Sequence, residues 1–199
     1  MADRPYHHGN LRAALLAQAE KTLREDGLDG LSLRDLARHL GVSHGAPRRH
    51  FADRQALLDA LAECGFARLG AELRAAVEGA GEDYEARLRA TATAYVHFAI
   101  SDAGLLELMF AGKHREQAGA LHEAADRAFS VILELIQEGQ VTGLLEPGEP
   151  EGIGLLLFAT MQGIAALVTA GIVAPEQVDN LVADAIGRFL HGPRRPAPS

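Results

Sequence analysis

The sequence predicts an all-α fold of about nine helices, and three observations carry that prediction. Alanine, the best helix former, supplies 36 of the 199 residues. Only ten residues are aromatic (seven Phe, three Tyr, no Trp) and β-branched residues are sparse, so the usual strand formers are missing. Apolar residues also recur at three- and four-residue spacing along most of the chain, the period of a helix with one buried face.

In order, Leu11, Leu15, Ala19 and Leu23 line a first helix, with Asn10 placed to cap it and Gly27 to end it. A short helix follows from Leu33. Ser32 is its N-cap and Asp35 completes a variant of the capping box, while Leu33, Leu36, Ala37 and Leu40 form its apolar side. Gly41 stops it, Val42 is apolar within the turn, and Ser43 is placed to cap a further short helix running to about Phe51. A long helix begins at about residue 54, with Leu58, Leu61, Leu69, Leu73 and Val77 inward, and Gly79-Ala80-Gly81 breaks it. Further helices are expected at about 82–101, 103–112, 115–139, 150–171 and 175–191. In the third of these, Leu121, Ala125, Ala128, Ile132 and Leu135 share a face. The final GPRRPAPS, residues 192–199, is expected to be a disordered tail.

Apolar residues make up 48% of the chain and charged residues 23%, which excludes an intrinsically disordered protein. The single cysteine, Cys64, excludes a disulfide scaffold and a cysteine-based zinc site and suits a reducing cytoplasm. Cys64 itself is expected to be a small core residue. The opening MADRPYHHGN lacks the apolar stretch of a secretory signal. The net charge of −8 argues against a surface coated for polyanions, yet the charge is unevenly placed. Residues 1–55 hold 9 Lys+Arg against 7 Asp+Glu, and the rest hold 10 against 20. Five of the nine histidines (7, 8, 39, 44 and 50) also fall in the first segment, so any contact with a polyanion is expected there.

From Ile153 to Val173 the chain carries no charge, a length that matches a bilayer span. Gln162, Thr160 and Thr169 interrupt it, and its flanks are acidic (Glu146, Glu149, Glu151, Glu176) rather than basic, so a buried helix is expected instead. Burying every face of such a helix in a chain of this size is easiest if a second subunit covers one of them. Ala159 and Gly163, four residues apart, permit a close helix approach. The following helix is amphipathic through Val178, Leu181, Val182, Ala185, Ile186, Phe189 and Leu190.

Segment 31–51, LSLRDLARHLGVSHGAPRRHF, has the pattern of a helix-turn-helix: two short helices about a Gly-Val-Ser turn, with Gly41 suited to a left-handed backbone. The region Leu11–Leu61 closely resembles the TetR family of bacterial transcriptional regulators. The likeness is carried by ALLAQAEKTLREDG, then GLSLRDLARHLGVS, the recognition segment ending in His50-Phe51, and ADRQALLDAL. The opening PYHHGNLRAALL is similar to a TetR subgroup with a Trp-His-Gly motif in its C-terminal domain. Here Phe158-Ala159-Thr160-Met161-Gln162-Gly163 is the equivalent, with Phe for Trp and Gln for His, while Tyr95-Val-His-Phe-Ala through Leu108-Met109-Phe110 fits the subgroup better.

The resemblance implies a homodimer without cofactor. Residues 1–53 would form a three-helix DNA-binding head and residues 54–191 a helical effector-binding and dimerisation body, connected by the helix from about 54. The last two helices would form a four-helix bundle across the dimer. It further implies a cytoplasmic repressor that occupies double-stranded operator DNA and leaves it when a small molecule binds the body. The chain departs from the family at Arg48, where an aromatic is usual, and at Arg54, where Lys is usual. Pro47 near the fourth position of the recognition helix removes a backbone donor, so the first turn must open or tighten.

By position, Ser32 and Arg34 reach phosphate from the second helix, Ser43 caps the recognition helix, and His44, Gly45 and Ala46 face the groove floor. There Ala46 meets a thymine methyl and the small residues permit close approach. Arg48, Arg49, His50 and Arg54 hold phosphate, and either Arg48 or Arg49 also reaches guanine. For the effector pocket the candidates are Tyr95, Phe98, Met109, Phe110, Phe129, Met161 and Gln162, with His97, His114 and Gln162 as polar anchors. His114 and His122, near Glu116 and Glu123, are the only spacing that suggests a metal, and none is expected to bind. No G-x-S-x-G, H-E-x-x-H, G-x-x-x-x-G-K-[ST] or G-x-G-x-x-G occurs, so no enzyme is expected. The alternative to a regulator is a helical ligand-binding or scaffold protein with a weakened DNA head.

Overall fold

The computed structural model describes residues 11–113 and 119–191; Asn10, His7, His8, His114 and the tail from 192 lie outside them. Eight α-helices occur there in the order α1 Leu11–Asp26, α2 Leu33–His39, α3 Arg54–Gly79, α4 Tyr84–Ser101, α5 Ala103–Lys113, α6 Gly119–Val141, α7 Pro150–Thr169 and α8 Val178–His191. Three 3₁₀ turns, Leu28–Gly30, Pro47–Arg49 and Pro175–Gln177, complete the set, and no strand occurs among the described residues. The all-α expectation holds. One expected element differs: the second helix of the helix-turn-helix is a 3₁₀ turn, not an α-helix.

The chain forms two compact units. One runs to Gly65 and takes in Gly104–His122; the other holds Phe66–Ala103 and the chain from Glu123 onward. This partition differs from a boundary at residue 53. The first half of α3 and all but the first residue of α5 belong with the head, because Gly65 is a notch filled by α5. A Cβ at Gly65 would stand 2.6 Å from the Met109 sulfur and 3.2 Å from Leu105 Cγ. In the same unit Leu15, Ala19, Leu23, Leu36, Ala37, Phe51 and Leu57 form the core, as the four-residue spacing of α1 requires. Cys64, expected in that core, is exposed, because it stands on the outer side of α3.

In the second unit α4 packs against both α7 and α8, and α7 against α8. Leu88, Tyr95, Val96, Leu135, Ile136, Met161, Val182 and Ile186 are its buried centre. Helices α3 and α6 approach closely at Gly70, where a Cβ would lie 2.9 Å from the Ala128 Cα. A second close approach lies at Gly139. The buried Tyr84 hydroxyl donates to the Leu135 carbonyl at 3.0 Å, and a Cβ at Gly139 would collide with that hydroxyl. Burial pushes the Tyr84 phenol up to about 12. Gly139→Ala is therefore expected to cost about 2 kcal/mol by overpacking and to lower the melting temperature by roughly 4–8 °C. Adding Tyr84→Phe removes the nearest atom but leaves the ring carbon Cζ at 2.6 Å and Leu145 Cδ1 at 2.9 Å from the new Cβ, so it should restore only a small part of the loss, which a calorimetric comparison of the four proteins checks.

Helix α7 is the one helix among the described residues long and apolar enough, by length and composition, to cross a bilayer. In the single chain it is not buried on every side. Leu157, Met161, Ile164, Ala165 and Val168 face the unit's core, while Leu155, Leu156, Ala159, Gly163, Ala166 and Leu167 are exposed. The outward residues repeat at the helical period, so they form one continuous apolar face.

Candidate nucleic-acid interface

The first unit places the candidate DNA-binding residues on a short, locally determined scaffold. The N-cap of α2 is Ser32, as expected from the sequence. Its oxygen accepts the Asp35 N–H at 3.1 Å and its hydroxyl donates to Asp35 Oδ2 at 2.8 Å. That hydroxyl, followed by the nearby Arg38 and His39 charges, holds the Asp35 carboxyl below its ordinary range. Arg38 pairs with Asp35 at 2.9 Å, whereas Arg34 points outward without an ion pair among the described residues. Ser32 thus spends its hydroxyl on its own helix, which limits what it can donate to a phosphate.

Helix α2 ends as the glycine predicts. Gly41 has φ +67°; its N–H reaches the Arg38 carbonyl at 3.2 Å, and the Val42 N–H reaches Ala37 at 3.0 Å. These two bonds form a Schellman cap, which requires the left-handed conformation that glycine adopts at no steric cost. The chain is thereby turned back, with Ser43, His44 and Gly45 exposed and Ala46 half-buried.

Ser43 does not cap a helix with its side chain. Instead its carbonyl accepts the Ala46 N–H at 2.9 Å, Ala46 accepts Arg49 at 3.2 Å, and Pro47 accepts His50 at 2.9 Å. The cause is Pro47: an α-helix starting at Ser43 needs an N–H at position 47 to bond the Ser43 carbonyl, and the ring both removes it and crowds that carbonyl. The segment tightens into a three-residue winding in which residues three apart are eclipsed. Pro47 and Phe51 are buried, while Arg48, Arg49 and His50 are exposed. Neither Arg48 nor Arg49 has an ion-pair partner among the described residues, so two guanidinium groups stand in solvent on one turn. Gly45 adds no side chain beside them, and a Cβ there would meet nothing within 4 Å.

Two residues work differently from, or beyond, the sequence expectation. Arg54 donates from Nε to the Leu31 carbonyl at 2.8 Å and from Nη2 to the Leu28 carbonyl at 2.5 Å. It ties the start of α3 to the 3₁₀ turn preceding α2, and only the remainder of its guanidinium is left for phosphate. Arg12, which the sequence did not single out, stacks its guanidinium over the Phe51 ring at 5.5 Å and so anchors the end of the recognition segment to α1. An arginine on the polar side of a helix gives no sequence signal for such a contact.

The effector candidates do not all come together. Met109 and Phe110 lie in the first unit, where Met109 is fully buried against Gly65. Tyr95, Phe98, Phe129, Met161 and Gln162 lie in the second unit. His97 is exposed on α4, with Nε2 3.0 Å from Asp179 of α8, and both line an open cavity of about 680 Å³ whose wall includes Arg89 and Thr93 but none of the other pocket candidates. His114 is outside the described residues. Phe98 is buried beneath the Arg68 guanidinium at 5.1 Å, and Arg68 pairs with Asp102 at 3.0 Å. Tyr95 and Phe129 meet two rings that were not candidates for the pocket, Phe66 and Phe158.

A helix-turn-helix with exposed arginines after its glycine turn, carried on an all-helical chain, defines a DNA-binding transcriptional regulator. The chain belongs to the TetR family. Residues 15–61 match the family model described as bacterial regulatory proteins, tetR family, and residues 88–189 the tetracyclin repressor-like C-terminal domain. A Rhodococcus sp. RHA1 protein of unknown function is 48% identical, with 97% of this chain and all of that one covered at a TM-score of 0.88. The Thermus thermophilus TetR-family transcriptional regulator PfmR (19% identical, 93% and 98% covered, TM-score 0.71) shares the fold. So does the Bacillus subtilis transcriptional regulator FadR in complex with stearoyl-CoA (12% identical, 92% and 100% covered, TM-score 0.74). The Escherichia coli tetracycline repressor protein class C is 46% identical over 52 residues, and that match spans 26% of this chain and only 24% of that protein's length.

Proposed function

We propose that this chain is a cytoplasmic repressor that binds a two-fold operator as a homodimer and is released when a small molecule enters its body. The observation that carries the reading is the pair of exposed arginines, Arg48 and Arg49, displayed on the turn after Gly41 without an ion pair among the described residues, in a chain whose net charge is −8. In this reading Arg48, Arg49 and His50 hold the backbone and position the head. Arg34, Ser43 and the exposed part of Arg54 extend that contact, Ser32 mainly as the N-cap that aims α2. His44, Gly45 and Ala46 approach the base edges. The second unit is the body: it supplies the dimer through α7 and α8 and the effector pocket through Tyr95, Phe98, Phe129, Met161 and Gln162.

The test is selection of bound fragments from the source genome by the purified protein. Recovery of inverted repeats with half-sites about one helical turn apart, roughly 34–36 Å, is the expected result. Transcription from the recovered promoters should rise when the protein is removed. Fragments without a two-fold repeat would overturn the dimer-on-operator reading, and a fall in transcription would make the protein an activator. Failure to retain any DNA at low salt would favour a ligand-binding protein with a weakened head.

A further inference from the structure

Among the described residues of the second unit, the Tyr95 hydroxyl is a buried polar group that the fold leaves unused. Tyr95 is 2% exposed, its hydroxyl is shut off from solvent, and no hydrogen-bond partner reaches it among the described residues. The same helix shows what a structural tyrosine looks like here: Tyr84, also buried, donates to the Leu135 carbonyl at 3.0 Å. An unmet buried hydroxyl is a standing cost that phenylalanine in the same place avoids. A partner absent from the folded chain explains why it is there.

The surroundings of Tyr95 limit what that partner is. Rings from four helices meet: Phe66 of α3, Tyr95 of α4, Phe129 of α6 and Phe158 of α7. Their centroids lie 6.3 Å apart for Phe66–Phe129, 6.5 Å for Tyr95–Phe129, 5.5 Å for Tyr95–Phe158 and 5.9 Å for Phe129–Phe158. Two of these pairs are edge-to-face, at 72° and 88°, the arrangement by which ring edges and faces attract. Four of the ten aromatic residues in the chain are thus gathered at one place. Met161, one turn on from Phe158 and also buried, is unbranched and adapts its shape readily. Burial alone pushes the Tyr95 phenol above its usual range; no charged side chain acts on it. A charged ligand group beside that hydroxyl would therefore be buried without a counter-ion.

We propose that the effector site of the body takes a neutral aromatic molecule whose single hydrogen-bonding group pairs with the Tyr95 hydroxyl while its rings pack among Phe66, Phe129 and Phe158. This rests on the reading that the body binds an effector, and it adds the class of molecule and the residue that selects it.

Three probes of one shape separate the terms: 2-naphthol (neutral, hydrogen-bonding), naphthalene (neutral, without that group) and 2-naphthoate (anionic). Titration and thermal shift are run on the full chain and on Tyr95→Phe. For the wild type, 2-naphthol should bind about five- to tenfold more tightly than naphthalene, the value of one net hydrogen bond, and 2-naphthoate more weakly than either. In Tyr95→Phe the preference for naphthol over naphthalene should vanish. The unliganded variant should melt roughly 2–4 °C higher, because the unmet hydroxyl is gone. Naphthoate binding as well as naphthol, a preference that survives Tyr95→Phe, or a variant that melts lower would each overturn the proposal while leaving an effector site in place. If none of the three probes shifts the wild type, the effector site among these rings fails with it.

Discussion

Ala166→Asp is expected to leave each chain folded and to abolish the dimer. Ala166 stands toward the C-terminal end of the outward face of α7, with Leu155 (66% exposed), Leu156 (61%) and Leu167 (42%) along the same side and Ile172 (72%) just beyond the helix. Four large apolar side chains in water on one stripe are unusual for a surface that stays uncovered. At the centre of the stripe, Ala159 and Gly163 add almost no bulk, and a Cβ at Gly163 would meet nothing within 4 Å. The stripe is therefore flat enough for a second α7 to approach. In the single chain a carboxylate at 166 stays in solvent and costs little. In a dimer it is buried without a partner, and a lone buried charge costs about 3–5 kcal/mol, roughly two to four orders of magnitude in the dissociation constant. Light scattering should give twice the 21.2 kDa chain mass for the wild type and that mass itself for the variant, with helical circular dichroism unchanged. Met161→Asp is the contrast: Met161 faces inward at 2% exposure, so that variant should unfold. A wild type that is monomeric at micromolar concentration, or an Ala166→Asp protein that stays dimeric, would remove α7 from the interface.

The parts of this protein that were legible in the sequence are those governed by neighbours along the chain. Ser32 and Asp35 are three residues apart, and Gly41 follows a helix of seven residues, so the cap, the stop and the left-handed turn all follow from local chemistry. The apolar period placed Leu15, Ala19 and Leu23 inside for the same reason. Pro47 marked a conflict in the recognition segment without saying how it resolves. The resolution is a 3₁₀ turn, and the end of that segment is held by Phe51 beneath Arg12 of another helix, a contact that neighbours along the chain do not reveal. What was not legible depends on distant partners. Arg54 reads as a phosphate contact until Leu28 and Leu31 are seen to accept from it across more than twenty residues. Cys64 reads as core by its apolar size, but its side of α3 is exposed. Tyr95 reads as one more buried ring, since an unmet hydroxyl is a property of its surroundings and not of its sequence neighbours. The outward face of α7 was legible only at Ala159 and Gly163, by their small size; its leucines were not, because a period of apolar against polar residues cannot mark a face when both sides are apolar.

Arg48→Ala is expected to weaken binding to every DNA sequence by a similar factor and to reduce the salt dependence by about one counter-ion per subunit. The geometry of the turn supports a backbone contact over base reading. In a three-residue winding Arg49 is in line with Ala46, the small residue proposed to face the bases, and Arg48 is turned about 120° away from that line. Arg48 is also exposed and without an ion pair among the described residues, so its removal leaves no buried group unpaired and should not change the melting temperature. Arg54→Ala separates the two kinds of arginine. Its loss strips donors from the Leu28 and Leu31 carbonyls and should destabilise the protein by about 1–2 kcal/mol before any DNA is added. Operator titrations across salt, with each base pair varied in turn, distinguish the outcomes. A preference lost at one base pair, worth roughly 1–3 kcal/mol, with an unchanged salt slope would make Arg48 a reader of guanine. Unchanged affinity would place it in solvent in the complex as well, and binding would then rest on His44, Arg49 and the remainder of the turn.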